Sequence, residues 1–227
     1  MALTDLQRKR MRSLLGVFFL AVVLVVFLQT GLYGQMTLEH LQELGTNPWT
    51  PALIIIAMTG AWAYSLPASV FFFITPLLFP PLAATAVICA GSAGGTTMGY
   101  IAARYVGGPW VERFKEHRIT KFIERHATFP SLFAVRIMPG SWHGPLNYGA
   151  GLVKIPFFKF LVATLFAISI KGYLYSVAIS NSVNATSVLD ALNWQTVSAT
   201  VTLAAIGLAG HMWHKKWGIP RSTTASE

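Results

Sequence analysis

LAATAVICAGSAGGTTMGYIAA, residues 82–103, decides how this chain is read: twenty-two residues without one Asp, Glu, Lys or Arg. The charge-free zone around it runs from Leu44 to Ala103, and another runs from Ser13 to Leu38. About 20 helical residues cross the roughly 30 Å hydrocarbon core of a bilayer, so such stretches read as membrane spans. Of the 227 residues, 54% are hydrophobic and 11% charged, against about 25% charged in soluble domains. A soluble fold of this length has no interior large enough for that apolar surface. The class expected is an all-α polytopic membrane protein.

Working outward from 82–103, spans are expected at about 13–33, 157–179 and 194–213. The apolar run Leu14–Leu32 follows Arg8, Lys9, Arg10 and Arg12. It is longer than a signal-peptide core and ends in Gln29-Thr30-Gly31-Leu32-Tyr33-Gly34, so it reads as an uncleaved span. The net charge of +9 collects at 1–12, 104–125, Lys154, Lys159 and 215–221, whereas 34–48 and 180–193 hold no Lys or Arg. Basic loops stay in the cytoplasm, which puts both termini inside and those two loops outside. The same placement makes the charge a matter of topology and of attraction to anionic lipid, with no call for nucleic acid.

Two segments are too short and too broken to cross. Residues 49–81 carry Pro51, Pro67, Pro76, Pro80 and Pro81, and must return to the outside before 82–103 crosses inward. Residues 129–153 lie between basic flanks, and their apolar run Phe129–Met138 ends at Pro139. Each is expected to be a re-entrant hairpin, entering from opposite faces and each followed by a full span, the layout of an inverted repeat. Pro67-Ala68-Ser69 matches Pro139-Gly140-Ser141 at an offset of 72, and Gly99-Tyr100 matches Gly172-Tyr173 at 73. Broken backbone at membrane depth leaves N–H and C=O groups that must be paired within the protein or line a wet cavity. The organisation expected is 1–48, a cytoplasmic N-terminus, first span and external loop; 49–180, the core with two hairpins; and 181–227, an external loop, last span and cytoplasmic tail.

The densest group of special residues is Arg136 through Gly151. A charge at the centre of a span costs about 2.5–3.5 kcal/mol on insertion scales, so Arg136 needs a partner or a function, and a planar guanidinium suits phosphate. The alternative is snorkelling to the interface. Asn147 and Tyr148 are expected either to satisfy freed backbone groups or to bind a head group. Lys171 falls near the middle of a span and is a candidate for lipid phosphate or a structural pair, with snorkelling as the rival. His143 reads as a packed or interfacial side chain. Residues 109–128 pattern as a basic amphipathic helix, with Val111, Phe114, Ile119, Phe122 and Ile123 on one face, fit for an anionic membrane surface. His211 and His214 lie among interfacial Trp and Lys residues, and no metal site is expected there. Cys89 is the only cysteine, so no intrachain disulfide forms. No paired carboxylates, nucleophile triad or nucleotide fingerprint occurs; neither an enzyme nor a cofactor is expected.

Arg136-x-x-Pro139-Gly140, then Asn147-Tyr148-x-x-Gly151, Pro156-Phe157 and Phe160-Leu161, resembles the second signature of the DedA/VTT-domain superfamily (SNARE-associated Golgi proteins). Leu66-Pro67-Ala68-Ser69, Leu77-Leu78-Phe79 and Ala103-Arg104-Tyr105-Val106-Gly107 resemble the first half. The Asn-Tyr pair is similar to the Tvp-type branch. The resemblance covers about residues 50–180. It implies two opposed re-entrant loops and lipid scrambling or flipping, with phospholipid or polyprenyl phosphate as substrate. The site residues it implies are Arg136, Pro139, Gly140, Asn147, Tyr148, Gly151, Pro67, Ser69 and Arg104, to which the cation within a span adds Lys171, with membrane lipids as partners and a homo-oligomer left open. The chain departs from the family in two places: it has no carboxylate near the first hairpin, and Ser141-Trp142-His143 stands where a second Arg is usual. Three functions fit these residues: a flippase or scramblase, an ion-coupled secondary transporter of a small anion, and a scaffold in which Arg136 binds boundary lipid. The compartment expected is a bacterial cytoplasmic membrane, with the Golgi as the alternative.

Overall fold

Proline sets the helix boundaries, as its missing N–H and fixed φ require. In the computed structural model, which describes residues 43–66, 68–138, 143–183, 185 and 192–217, α1 spans Thr50–Ala63 with Pro51 in its first turn. A 3-10 turn, Ala68–Val70, leads into α2, Phe71–Leu78. Pro80 breaks the chain and Pro81 opens α3, Pro81–Ile101, which continues as a π-helical turn over Ala102–Val106. Two glycines with positive φ, Gly107 and Gly108, turn the chain into α4, Pro109–Glu112. Then come α5, Arg118–Arg125; α6, Phe129–Ile137; α7, His143–Leu152; α8, Phe157–Val183; and α9, Trp194–Trp217. Thr128 caps α6 through its side chain, and Asn193 caps α9 by accepting from the Thr196 N–H at 2.9 Å. All regular structure among the described residues is helical. The described residues after Glu43 belong to one unit, Leu44–Glu227.

The order of short helix, break, short helix and long helix occurs at 50–101 and again at 129–183; Pro76, expected among the prolines that break 49–81, lies instead inside α2. Of the described helices, α8 is long and apolar enough to cross a membrane; Thr50–Ala63 and Trp194–Ala209 are shorter apolar helices. The α3 segment, though 21 residues long, is diluted by glycine and threonine. The first expected span, 13–33, lies outside the described residues.

Those small residues in α3 let its neighbours approach. A Cβ added at Gly95 would stand 2.3 Å from the Trp62 Cβ of α1, and one at Gly99 would stand 2.9 Å from the Asn147 Cβ of α7. α3 therefore seats Trp62 and Asn147 against one another's neighbourhood, and α8 packs along it too. Two carbonyls outside the helical ladders are taken up by tyrosine hydroxyls from other segments. The Tyr148 hydroxyl donates to the Ala63 carbonyl at the end of α1. The Tyr100 hydroxyl donates to the Ile155 carbonyl at 2.6 Å.

The segment 109–125 does form an amphipathic pair of short helices, but its apolar face is spent on the protein. Val111, Phe114 and Ile123 are buried, Ile119 and Phe122 pack against the core, and Thr120 sits against Gly149 of α7. The expectation that this face lies in a membrane surface is corrected: only the charged face is exposed. It carries the Lys121–Glu116 pair at 2.6 Å, whose hydrogen bond holds the Glu116 carboxyl below its ordinary range.

Candidate functional site

α6 ends at Arg136-Ile137, and the last turn of that helix delivers a guanidinium into the interior. Arg136 has no solvent exposure. Its Nε donates to Thr164 Oγ1 of α8 at 3.2 Å, its Nη2 to Thr96 Oγ1 of α3 at 3.4 Å and also to Asn147 Oδ1 of α7. Its Nη1 lies 3.1 Å from His143 Nδ1. Since arginine only donates, Nδ1 accepts and the imidazole proton sits on Nε2. The guanidinium carbon is 5.4 Å from the ring centres of both Trp62 and Phe160, within cation–π range. Trp62 in turn stacks on His143, centroids 3.9 Å apart and planes 16° apart.

Lys171 of α8 is 4% exposed. Its ammonium donates to the Arg136 carbonyl at 3.0 Å and lies 5.4 Å from the Phe72 ring centre of α2. That carbonyl is one of those left over at the C-terminus of α6, where the helix dipole favours a cation. Two cations thus share one interior. Residues 44–111 and 125–189 contain no Asp or Glu, so none of the helices that supply these side chains carries a carboxylate. Hydroxyls, an amide oxygen, an imidazole nitrogen, a carbonyl and aromatic faces do the compensating.

The expected site residues separate accordingly. Arg136, Asn147 and Lys171 come together. Tyr148, next to Asn147, points the other way: its hydroxyl caps α1 and its ring stacks on Phe114, centroids 4.7 Å apart. Gly151 is a helix contact, where an added Cβ would stand 2.5 Å from the Tyr100 carbonyl oxygen. Ser69 is exposed in the 3-10 turn. Arg104 is half-buried in the π-turn, two helical turns past Thr96, with an Nη1 that is buried and has no hydrogen-bond partner. Pro67, Pro139 and Gly140 lie outside the described residues. Trp62, Thr96 and Thr164 were not legible as site residues, and His143, read as packed, is both packed and bonded to Arg136. A threonine inside an apolar helix is a polar group needing a partner, and that signal alone could have raised Thr96 and Thr164.

Buried cations held by neutral dipoles, on helices of which one has the length and apolarity to cross a bilayer, are features of an integral membrane protein. The family model for the VTT domain matches residues 66–181, just over half of the 227 residues. The chain belongs to that family, the DedA/SNARE-associated membrane proteins. No curated protein and no solved structure matches it.

Proposed function

We propose that this protein moves phosphate-bearing lipids, phospholipid or polyprenyl phosphate, between the leaflets of a membrane in the manner of a flippase or scramblase. The observation that carries the reading is the wholly buried Arg136 guanidinium beside Lys171, on helices without a carboxylate. Placing two cations there is costly, and a phosphate offsets that cost better than any neutral group, because both cations regain charge-assisted hydrogen bonds. Thr164, Thr96, Asn147 and His143 help to hold the guanidinium in position, and an arriving phosphate displaces the weaker neutral acceptors. Around this centre, 49–81 and 129–153 act as re-entrant hairpins of an inverted repeat in a multi-pass protein with both termini in the cytoplasm of a bacterial cell, or facing the cytosol from a Golgi membrane. The Asn147-Tyr148 pair favours the Tvp-type branch. Membrane lipids are the partners.

The test is leaflet exchange in proteoliposomes, with a fluorescent phospholipid and a labelled polyprenyl phosphate. The wild type is expected to exchange at least one of them. Arg136→Gln, which keeps an amide donor for Asn147 and His143 but loses the charge, is expected to slow exchange at least tenfold, since a hydrogen bond to a charge is worth about 1.5–3 kcal/mol. Folded wild-type protein that exchanges neither lipid sinks the proposal. A second reading rests on the same pair of buried cations, which suit a small anion as well as a lipid phosphate: ion-coupled transport of a small anion predicts flux that follows an imposed ion gradient while lipid stays in its leaflet.

A further inference from the structure

Three buried polar atoms lie about the seam where the end of α1 and the start of α7 meet against α3, and none has a hydrogen-bond partner: Trp62 Nε1, Ser65 Oγ and Asn147 Nδ2. The seam is tight. Trp62 stacks on His143 at 3.9 Å, and a Cβ added at Gly144 would come within 2.1 Å of Ser65 Oγ. His143, Gly144 and Asn147 share one face of α7 by their spacing. The guanidinium of Arg136 borders the same seam, bonded to His143 and Asn147 and facing the Trp62 ring.

The chemistry of the three atoms is one-sided. An indole N–H and an amide N–H can only donate, and a hydroxyl can. Buried donors left without an acceptor are costly and uncommon in folded proteins. Ser65 sharpens the point. It closes α1 in the left-handed region at φ 59, with the Leu66 N–H bonded to the Ala61 carbonyl at 2.8 Å, a position that glycine occupies with less strain. A serine there keeps a hydroxyl in the seam at the expense of backbone comfort.

We propose that this seam is an oxyanion site, in which Trp62, Ser65 and Asn147 donate hydrogen bonds to the phosphate that Arg136 attracts. The proposal rests on the lipid-phosphate reading above and adds its neutral ligands. Each added donor fixes the orientation of the phosphate oxygens, which charge alone does not. A bridging water is the competing occupant, since ordered water satisfies such groups in protein interiors.

The experiment uses the full chain in detergent and follows thermal unfolding against inorganic phosphate, for wild type, Ser65→Gly, Trp62→Phe and Arg136→Gln. Wild type is expected to be stabilised by phosphate, and Ser65→Gly and Trp62→Phe each to bind it about tenfold more weakly. Ser65→Gly is also expected to melt higher than wild type without phosphate, because the left-handed strain and an unpartnered hydroxyl go together. Opposite signs in one variant separate a ligand donor from a structural serine, and Ser65→Gly carries the test if Trp62→Phe fails to fold. Wild-type affinity retained in both variants while Arg136→Gln has lost it overturns the seam as ligand and leaves the lipid-phosphate reading standing. No response of wild type to phosphate, nor to phosphatidic acid in phosphatidylcholine nanodiscs, leaves water as the occupant and overturns the site, and leaflet exchange then judges the transport reading separately. With binding established, nanodiscs name the source of the anion: phosphatidic acid that abolishes the response to free phosphate identifies a lipid head group, and a response that survives identifies a soluble anion.

Discussion

Lys171→Met is expected to leave the protein folded, with a stability close to that of the wild type, while removing transport. The structure sets the balance. The ammonium is 4% exposed. It receives one hydrogen-bond acceptor, the Arg136 carbonyl at 3.0 Å, and one aromatic face, Phe72, at 5.4 Å. The bond to a charged donor contributes about 1.5–3 kcal/mol and a desolvated cation–π contact about 2 kcal/mol. Against them stand the burial of a cation, an effective penalty of several kcal/mol per ion, and repulsion from Arg136 in the same interior. Methionine fills nearly the same volume and regains roughly 0.3–1.5 kcal/mol from its sulfur against Phe72, but leaves the carbonyl without its donor, at about 1–3 kcal/mol. With repulsion from Arg136 added to the burial penalty, the opposing terms cancel to within about 2 kcal/mol. At roughly 2–4 °C per kcal/mol for a chain of this size, thermal unfolding in detergent should stay within about 8 °C of the wild type. Lipid exchange in proteoliposomes should fall at least tenfold, as expected of a residue kept for function rather than for stability. A drop in melting temperature beyond about 8 °C refutes the reasoning: it means that a negative group compensates the ammonium and that Lys171 is half of a structural pair.

Three further substitutions probe the frame around the site. Gly151→Ala places a Cβ 2.5 Å from the Tyr100 carbonyl oxygen and 2.7 Å from the Ala103 Cβ; backbone cannot give way there, and a loss of about 1–3 kcal/mol should appear as a lower melting temperature, with exchange per folded molecule unchanged. Tyr148→Phe keeps the ring on Phe114 and removes the donor to the Ala63 carbonyl; a loss of about 1–3 kcal/mol is expected, with faster amide hydrogen exchange confined to the end of α1. Ile123→Asp buries an unpaired charge at a position with no exposure and should undock α5 from α7, read as new protease cleavage between Phe114 and His126.

Much of the frame was legible because its signals are local. Proline marks where α1, α3 and α6 begin, and a lone arginine in an apolar run needs explaining before any neighbour is known. What sequence withheld depends on contacts between distant segments. Thr164 and Thr96 stand 28 and 40 residues from Arg136, and their hydroxyls matter only because α3 and α8 pack side by side. Asn147 and Tyr148 are adjacent, so a helix sends them about 100° apart; sequence left the same two tasks open for both, freed backbone or a head group, and could not divide them, whereas Tyr148 takes the backbone at the end of α1 and Asn147 meets Arg136. The 109–125 segment failed for a different reason. An apolar stripe next to a basic one suits a membrane surface and a protein surface equally, and the groove at Gly149 that accepts Thr120 decided for the protein.

The helix breaks and the charges answer the same physical demand. Broken backbone inside a bilayer is tolerated only if its free carbonyls find donors within the protein. At the end of α1 the donor is the Tyr148 hydroxyl, a neutral group that costs little to bury once bonded. At the end of α6 it is the Lys171 ammonium, where a second tyrosine or a serine would close the carbonyl without a buried charge. The choice of a cation at that end, within reach of a second cation on the very residue whose carbonyl it caps, is not explained by capping. It is explained if the ammonium has two acceptors available to it, the carbonyl while the site is closed and a phosphate oxygen while a lipid head group passes. Lys171→Gln separates the two roles, because glutamine still donates to the carbonyl but carries no charge. On this argument it keeps the melting temperature of the wild type and loses exchange together with Lys171→Met; exchange at the wild-type rate in Lys171→Gln would reduce Lys171 to a cap.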